Sequence, residues 1–329
     1  MIEALQAIVL IPIVAIVGIF IALLFNGIDR ILAARMQARI GPPLSQPFID
    51  VKKLFLKENI VPKNAVKWLF NLMPVVALTA SLAVLLYIPL FGFKPLLDGY
   101  GDAILIIYLF AIPSLAMVLG GFASSSRYAT IGAQREMVTM LSYEFPLAIS
   151  IIAIAWLVSS TTACIPGFSI GAISIWTLVG PLGILGLILL FLVMLFVLPG
   201  EVGAIPFDSP EAETEIGGGV LTEYSGRNLG LFYISASVKT IAFAAFIVAL
   251  FLPGNISNAM SLTGIGSMAV DALFFLVKIF IVVFIGSTFI RVAIARLRIT
   301  QVVKVYWGYA SLMALVGLLL IAIDLMGVV

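Results

Sequence analysis

Eight predominantly apolar runs, each about long enough to cross a lipid bilayer, constrain this chain more than any other feature. They lie near 4–25, 68–91, 103–123, 138–158, 180–199, 229–252, 269–290 and 303–326. Because 63% of the residues are hydrophobic and only 10% are charged, lipid must be the solvent for most of the surface. The sequence predicts an all-α, polytopic membrane protein in which residues 1–329 form a single integral membrane domain with about eight transmembrane helices.

The loops between these runs alternate in charge. Basic residues are concentrated in the loops after the first, third and seventh runs, whereas Lys94 is the single base in the loops after the second, fourth and sixth. The positive-inside rule therefore predicts cytoplasmic loops at about 26–67, 124–137 and 291–302. The loop at 200–228 carries one base, Arg227, and is placed on the same side only by the alternation of the spans. Both termini are then expected outside, in a multi-pass protein of the cell membrane.

The ligands that proteins use for redox metals are nearly absent from this chain. It has no histidine and one cysteine, Cys164, which cannot hold an iron–sulfur cluster alone. We expect no cofactor and no metal in this chain, no catalytic residue of its own and no role for Cys164. If the protein takes part in electron transfer, partner subunits hold the metals.

The first polar segment, Asp29–Pro43, contains Arg30, Arg35 and Arg39. Arg35 and Arg39 are four residues apart and would share one helix face, before Gly41-Pro42-Pro43 ends the helix. Residues 47–58 follow, with Phe48, Val51 and Phe55 at helical spacing, which predicts a short amphipathic interfacial helix. Its basic side chains fit either anchoring to lipid headgroups or a docking surface for a soluble subunit.

Charged residues also fall inside the apolar runs. Glu144 follows Glu136 by eight residues, on roughly the same helix face, and Lys239 and Lys278 lie near the middle of their runs. A carboxylate or ammonium at this depth faces protein or water, and Glu144 is the candidate partner of Lys239. A structural ion pair and a proton relay both remain open, whereas Glu136 and Arg135 also fit side chains that reach the interface.

The loop at 200–228 is acidic, and its prolines and glycines exclude one continuous helix. Glu211 and Glu215 are spaced to share a face of a short turn, with Glu213 pointing elsewhere. Close carboxylates repel, so some of their pKa values are expected to rise far enough to pass protons on near neutral pH. An ordinary solvated acidic loop is the alternative.

In their order along the chain, these segments resemble the membrane subunit of respiratory complex I that forms the base of the quinone chamber. They also resemble its relatives in energy-converting membrane-bound NiFe hydrogenases, formate hydrogenlyases and sulfane reductases. The resemblance rests on Asp29–Pro43, Lys53-Leu54-Phe55, Ser125 to Ala133, Ser142-Tyr143-Glu144, Pro206-Phe207-Asp208, Pro210 to Glu215, Glu223-Tyr224-Ser225-Gly226 and Arg291–Arg298. Lys239 and the segments Leu221–Gly226 and Leu250–Pro253 look closer to the hydrogenase side. Asp29-Arg30-Ile31 stands where complex I typically has a Glu-Arg-Lys triplet.

The resemblance implies a non-redox subunit that couples electron transfer to proton or sodium translocation. Its expected partners are hydrophilic iron–sulfur and catalytic subunits on the cytoplasmic side, which would carry 4Fe-4S clusters and a NiFe centre, antiporter-like membrane subunits, and lipid, but no nucleic acid. The implied relay residues are Glu144, Asp208, Glu211, Glu213, Glu215, Glu223, Lys239 and Lys278. The residues implied for arm docking or a quinone-like cavity are Arg30, Arg35, Arg39, Phe207, Arg291, Arg296 and Arg298.

Three other functions remain open at this stage. The chain fits a quinone-binding subunit of an NADH:quinone-type oxidoreductase, a passive membrane anchor for the arm, or a stand-alone ion transporter. The last is the weakest, because the sequence has no evident internal repeat of the kind common in secondary transporters.

Overall fold

The computed structural model describes residues 2–90, 95–97, 103–161, 175–177, 179–254, 256–257 and 265–327. Within these ranges eight helices are long and apolar enough to cross a membrane, which confirms the predicted number. Cys164 and Lys94 lie outside the described residues.

The helices are joined by connections of different length. In chain order they are α1 (Ile2–Met36), α2 (Gln46–Leu56), α3 (Lys67–Tyr87), α4 (Ala103–Ala123), α5 (Arg127–Thr161), α6 (Pro181–Val202), α7 (Glu213–Ile216), α8 (Gly226–Phe251), α9 (Ile265–Val283), α10 (Ile290–Ala293), α11 (Ile299–Val303) and α12 (Ser311–Gly327). Short 3-10 turns lie at Ile175–Thr177, Ser209–Glu211 and Gly219–Leu221.

Two of the spans change helix type part of the way across the membrane. A π-helical segment, Phe284–Phe289, joins α9 to α10, and a second, Lys304–Ala310, joins α11 to α12. Such segments frequently occur at functional sites because the wider turn reorients the side chains around it. Here Ser287 and Tyr306 are buried inside the bundle.

Helix α8 lies at the centre of the bundle and contacts α1, α2, α3, α6 and α9. Of its most apolar stretch of 18 residues, 89% are buried, compared with 22% for the first span. Small residues such as Ala242, Ala244 and Ala245 let the neighbouring helices approach closely, which is how helices associate in lipid. A charged side chain within this buried stretch of α8 therefore faces protein and not lipid.

Four polar connections lie at one end of the bundle, which we call the polar end (residues 37–66, 124–126, 203–225 and 294–298). They are joined to one another by backbone hydrogen bonds. Val66 N–H donates to Ala123 O at 2.9 Å, and Leu297 N–H donates to Pro206 O at 3.0 Å. The polar end is thus one folded surface.

Helix boundaries differ from the sequence interpretation at this end. Helix α5 begins at Arg127, well before the predicted start near 138, and α1 continues to Met36, so the predicted loops 26–67 and 124–137 contain helical residues. These stretches were predicted as loops because they contain charged residues. In the structure the folded polar end provides partners for those charges, so the helices extend through them. The shared face predicted for Arg35 and Arg39 is wrong, since α1 has ended before Arg39 and Ala38 has a φ of 55°.

The short interfacial helix was predicted at 47–58 and is observed as α2. Its Phe48 ring lies 5.4 Å from the ring of Phe20 on α1, centroid to centroid. On the polar side, Asp50 forms an ion pair with Arg30 at 2.9 Å. These contacts connect α2 to the membrane-spanning bundle.

Candidate functional site

A buried ion pair joins α8 to the end of α6. The Lys239 ammonium lies 2.8 Å from Oε1 of Glu201, and the two side chains are 6% and 1% exposed. The predicted partner of Lys239 was Glu144, and that pairing is wrong. Glu201 had been assigned to the loop, whereas α6 continues through Pro199 and Gly200 to Val202 and carries Glu201 into the bundle.

The extension of α6 depends on Gly200 and Tyr306. A Cβ on Gly200 would collide with the Tyr306 hydroxyl and lie 2.7 Å from its Cζ, so only glycine lets the tyrosine pack there. The Tyr306 hydroxyl donates a hydrogen bond to Phe196 O at 3.1 Å. The helix then ends at Gly203, whose φ is +72°, and this places Glu201 in the last turn of α6.

Two neutral side chains that sequence reasoning did not single out continue from Lys239. Its ammonium donates a hydrogen bond to Ser114 Oγ at 2.9 Å, and Ser114 Oγ lies 3.2 Å from the hydroxyl of Tyr143. All three residues are buried. Serine and tyrosine are common in membrane helices, and only the packing of α4 against α5 and α8 distinguishes these two.

The ion pair borders a small acidic cavity of about 30 Å³, which is room for roughly two water molecules. Four carboxylates line this acidic cavity, whereas Lys239 is its one lining base among the described residues. The acidic residues are Glu136, Glu201, Asp208 and Glu211. Glu201 is paired with Lys239 and Asp208 with Arg296, whereas no ion pair of Glu136 or Glu211 is found among the described residues, so these two are the carboxyl groups best suited to hold a proton.

The acidic loop reaches the cavity because two of its carboxylates are held by arginines. Arg296 donates from Nε to Asp208 Oδ1 at 2.9 Å and from Nη2 to Oδ2 at 2.5 Å, and this hydrogen bonding raises the pKa of Arg296. On the outside, Arg135 pairs with Glu215 at 2.5 Å, and the hydrogen bond lowers the pKa of Glu215. The partner of Arg135 is thus a carboxylate 80 residues later in the chain.

Glu211 differs from its neighbours because no arginine pairs with it in the described part of the chain. Burial raises its pKa to about 7, with smaller contributions from the charges of Glu136 and Asp208. Its carboxyl faces the acidic cavity, whereas Glu215 is exposed, so the face predicted to be shared by these two residues is not observed. Glu211 is therefore the group of this loop that exchanges a proton near neutral pH.

The other predicted relay residues lie farther out. Glu213 is exposed, Glu223 and Glu144 are partly buried, and none of the three lines the acidic cavity. Lys278 donates to Leu252 O at 2.7 Å and to Gly254 O, so it caps the far end of α8. Its ammonium is remote from Lys239.

The predicted arginine set divides into three environments. Arg291 pairs with Asp29 at 2.9 Å, and Arg30, besides its pair with Asp50, donates to the Tyr233 hydroxyl at 2.7 Å. Arg296 holds Asp208, as described above. Arg35, Arg39 and Arg298 are exposed at the polar end.

Phe207 was predicted at a docking surface or in a quinone-like cavity, but its side chain packs in the interior of the protein. It is 1% exposed and its ring lies 4.7 Å from that of Tyr306, centroid to centroid. The loop turns inward at this point, so the Phe207 ring supports the tyrosine that packs on Gly200.

Arg30 and Arg291 border two further spaces. One is a polar chamber of about 200 Å³ between α1, α8 and the π segment Phe284–Phe289. The other is an open groove of about 400 Å³ at the polar end, lined also by Arg39 and Ile205. Within the described ranges no group of three His, Cys, Asp or Glu side chains is arranged to hold a metal ion.

Three comparisons with known proteins agree with one another. The sequence profile of the NADH dehydrogenase family matches residues 8–322. The chain is 31% identical to an NADH-quinone oxidoreductase subunit of Dehalococcoides mccartyi over 315 residues, covering 92% of this chain and 82% of that protein. It is 33% identical to hydrogenase-4 component C of Escherichia coli over 301 residues, covering 92% of each chain.

Among solved structures, the fold matches a chain of the membrane-bound sulfane sulfur reductase, an archaeal respiratory membrane complex. The TM-score is 0.80 at 30% identity, and the match covers 98% of this chain and 100% of that chain.

Breaking the buried pair on one side is expected to be costly. Lys239→Met leaves the Glu201 carboxylate without its cation and should lower the free energy of unfolding by about 3–5 kcal/mol. The double variant Lys239→Met/Glu201→Met should recover most of that loss, because both charges are then gone. Denaturant unfolding of the purified, detergent-solubilised protein measures this. Arg135→Gln, which breaks a more exposed pair, is the control, and a Lys239→Met variant as stable as wild type would contradict the assignment.

Glu211 should make stability depend on pH in one direction. Its pKa is about 7 in the folded protein, against 4.5 for an exposed glutamate side chain. Between these values the folded state binds more protons than the unfolded state, so stability falls as pH rises through this window and levels off above it. The loss is at most about 3 kcal/mol.

The Glu211→Gln variant isolates this effect. The fall in stability between about pH 4.5 and 7 should flatten in Glu211→Gln and persist in Glu213→Gln, whose side chain is exposed in the same loop. Thermal unfolding across the pH range measures it. An equal slope in Glu211→Gln and wild type would show that Glu211 does not titrate there.

Proposed function

The chain belongs to the NADH dehydrogenase family, and we propose that it is the non-redox membrane subunit that couples electron transfer in partner subunits to proton or sodium translocation. The observation that carries this proposal is the buried Lys239–Glu201 pair beside a cavity with four carboxylates. Such a cluster binds and releases protons and responds strongly to nearby charge, and no fold-stabilising role requires so many acids at one buried place.

Coupling begins at the acidic loop in this proposal. Glu211 has a pKa of about 7, so a charge change in a docked partner shifts its proton occupancy near neutral pH. The shift is felt by Glu136 and by the Lys239–Glu201 pair, because electrostatic interactions are weakly screened inside the bundle. The Lys239–Glu201 pair then transmits this change in electrostatic potential along α8 to the centre of the membrane.

The polar end supports docking of soluble subunits. Ile40, Leu56 and Ile60 are 102%, 78% and 65% exposed there, beside exposed Arg35 and Arg39. Apolar side chains among basic ones are typical of a protein interface and are not needed for headgroup binding alone. We assign this surface to hydrophilic iron–sulfur and catalytic subunits on the cytoplasmic side, with both termini outside, and the lateral faces to lipid and antiporter-like subunits.

We place the chain on the hydrogenase-like branch. Support comes from the match with hydrogenase-4 component C along 92% of both chains. It also comes from Asp29-Arg30-Ile31, where the first two side chains are already engaged, Asp29 with Arg291 and Arg30 with Asp50. The partner complex is then expected to contain 4Fe-4S clusters and a NiFe centre.

Quinone binding is the second candidate function. The observation that favours it is the open groove of about 400 Å³, whose lining combines Arg30, Arg39 and Arg291 with Ile205 and Pro42. The polar groups suit the head group of a quinone, and the apolar groups beside them suit its hydrocarbon tail. Photoaffinity labelling at the groove that excess quinone abolishes would support this function, whereas labelling that excess quinone leaves unchanged would rule it out.

Two isosteric substitutions test the coupling role. Glu136→Gln and Glu211→Gln remove cavity-lining charges and should lower ion translocation per electron more than tenfold in proteoliposomes that contain the whole complex, while arm assembly and electron transfer persist. Glu215→Gln is the matched control, because it lies on the same loop but is exposed. Wild-type ion translocation in both cavity variants would contradict the coupling role and indicate that this chain is only a passive membrane anchor for the arm.

The composition of the purified complex tests the branch. Native isolation of the complex through a tag on this chain should recover iron and nickel with it, and less than one quinone per complex. Metal analysis and organic extraction measure these contents. One tightly bound quinone per complex without nickel would assign the protein to the NADH:quinone type, and recovery of this chain alone would contradict the subunit role.

A further inference from the structure

Helix α8 separates two polar spaces. Ser235 and Lys239, four residues apart, line the acidic cavity. Ser237 and Ile241, also four residues apart, line the polar chamber. Ala236 also lines the acidic cavity and Thr240, one turn later, lines the chamber, so the two spaces touch neighbouring faces of α8 that adjoin at these two residues.

The lining of the polar chamber suits water. Its polar lining residues are Asn26, Asp29, Arg30, Ser237, Thr240, Ser287 and Arg291. A volume of about 200 Å³ has room for several waters, and these side chains offer the two to four polar partners that an ordered buried water needs. Asn26 and Ser237 are hydrogen-bonded to each other at 3.0 Å across the chamber, from α1 to α8.

This chamber lies beside the open groove at the polar end. Arg30 and Arg291 line both the chamber and the open groove. Each guanidinium is held by a carboxylate, Asp50 and Asp29 respectively, so the side chains border the passage in fixed positions. Water therefore has a polar route from the surface to the Ser237 face of α8.

The chamber and the acidic cavity meet at one apolar side chain. Val202 is the one described residue that lines both spaces. It follows Glu201 directly at the end of α6 and precedes Gly203, where the chain leaves the helix. An isopropyl group offers no hydrogen bond to water, so a water molecule that crosses here loses partners on one side.

We propose that Val202 is an apolar barrier that keeps the water of the polar chamber out of contact with the Lys239–Glu201 pair. The barrier separates two polar spaces on neighbouring faces of α8, and a small displacement of the end of α6 connects them. The barrier itself stands without the proposed function. Its consequence rests on that function: a permanently open barrier lets protons bypass the coupling step.

The exchange of a thiol proton with heavy water tests the barrier directly. Ser235→Cys and Ser237→Cys are placed one at a time in the intact complex with Cys164→Ser, and infrared difference spectra follow conversion of S–H to S–D. The Ser237→Cys thiol should exchange at once. The Ser235→Cys thiol, beyond Val202, should exchange at least tenfold more slowly.

Three substitutions at Val202 complete the test. Val202→Ala should bring the Ser235→Cys exchange rate to that of Ser237→Cys, and Val202→Thr, which keeps the shape but adds a hydroxyl, should accelerate it even if the alanine variant fails to assemble. Val202→Ile is the matched control and should leave exchange slow. Fast exchange at Ser235→Cys with Val202 intact, or slow exchange in both Val202→Ala and Val202→Thr, would overturn the inference.

Ion translocation separates this inference from the proposed function. If both hold, Val202→Thr should lower the number of ions moved per electron at least threefold while electron transfer continues. If thiol exchange is faster in Val202→Thr but ion translocation is unchanged, the barrier is supported and the coupling role of the Lys239–Glu201 pair is contradicted. An unchanged rate of thiol exchange in Val202→Thr would overturn the barrier. The coupling proposal would then still be tested by the Glu136 and Glu211 variants.

Discussion

The structure depends on one interaction, the contact between Lys239 and Glu201 in the interior of the bundle. An unpaired charge there is far too costly, so the surrounding helices are arranged to bring the two together. Helix α6 continues past Pro199 to deliver Glu201, and Gly200 leaves room for Tyr306 beside it. Because hydrophobic residues of similar size would satisfy the same space at lower cost, the retained charges point to function and not to stability.

One acidic stretch of sequence is divided by the backbone among three environments. Asp208 turns inward and is neutralised by Arg296, Glu211 faces the cavity without an arginine, and Glu215 turns outward to Arg135. Identical carboxyl chemistry therefore gives one carboxylate held by an inward-facing arginine pair, one group with a pKa of about 7 and one surface ion pair. The division lets the loop hold its shape through two carboxylates while the third remains free to exchange a proton.

Sequence reasoning found the elements that obey simple periodicities and missed the contacts that cross between them. The number of spans and the interfacial helix α2 follow from runs of apolar residues and were predicted. Glu201 was assigned to a loop because Pro199-Gly200 usually ends a helix, and here Tyr306, more than 100 residues later, packs where the glycine has no side chain. Ser114 gave no signal, and Tyr143 was named only within the motif Ser142-Tyr143-Glu144 without a role, since the function of a neutral hydroxyl group depends here on the buried ammonium beside it.

By itself the sequence determined that this is a membrane protein with eight spans, that its polar segments lie at one end, and which family it resembles. These conclusions rest on local properties, namely hydrophobicity, charge and motif order, which need no knowledge of contacts. Only the tertiary structure decided that Lys239 pairs with Glu201, that Glu211 faces the cavity, and that Val202 stands between two polar spaces. Each of these depends on side chains distant in sequence meeting across packed helices, and helix periodicity fixes a face without fixing what lies opposite it.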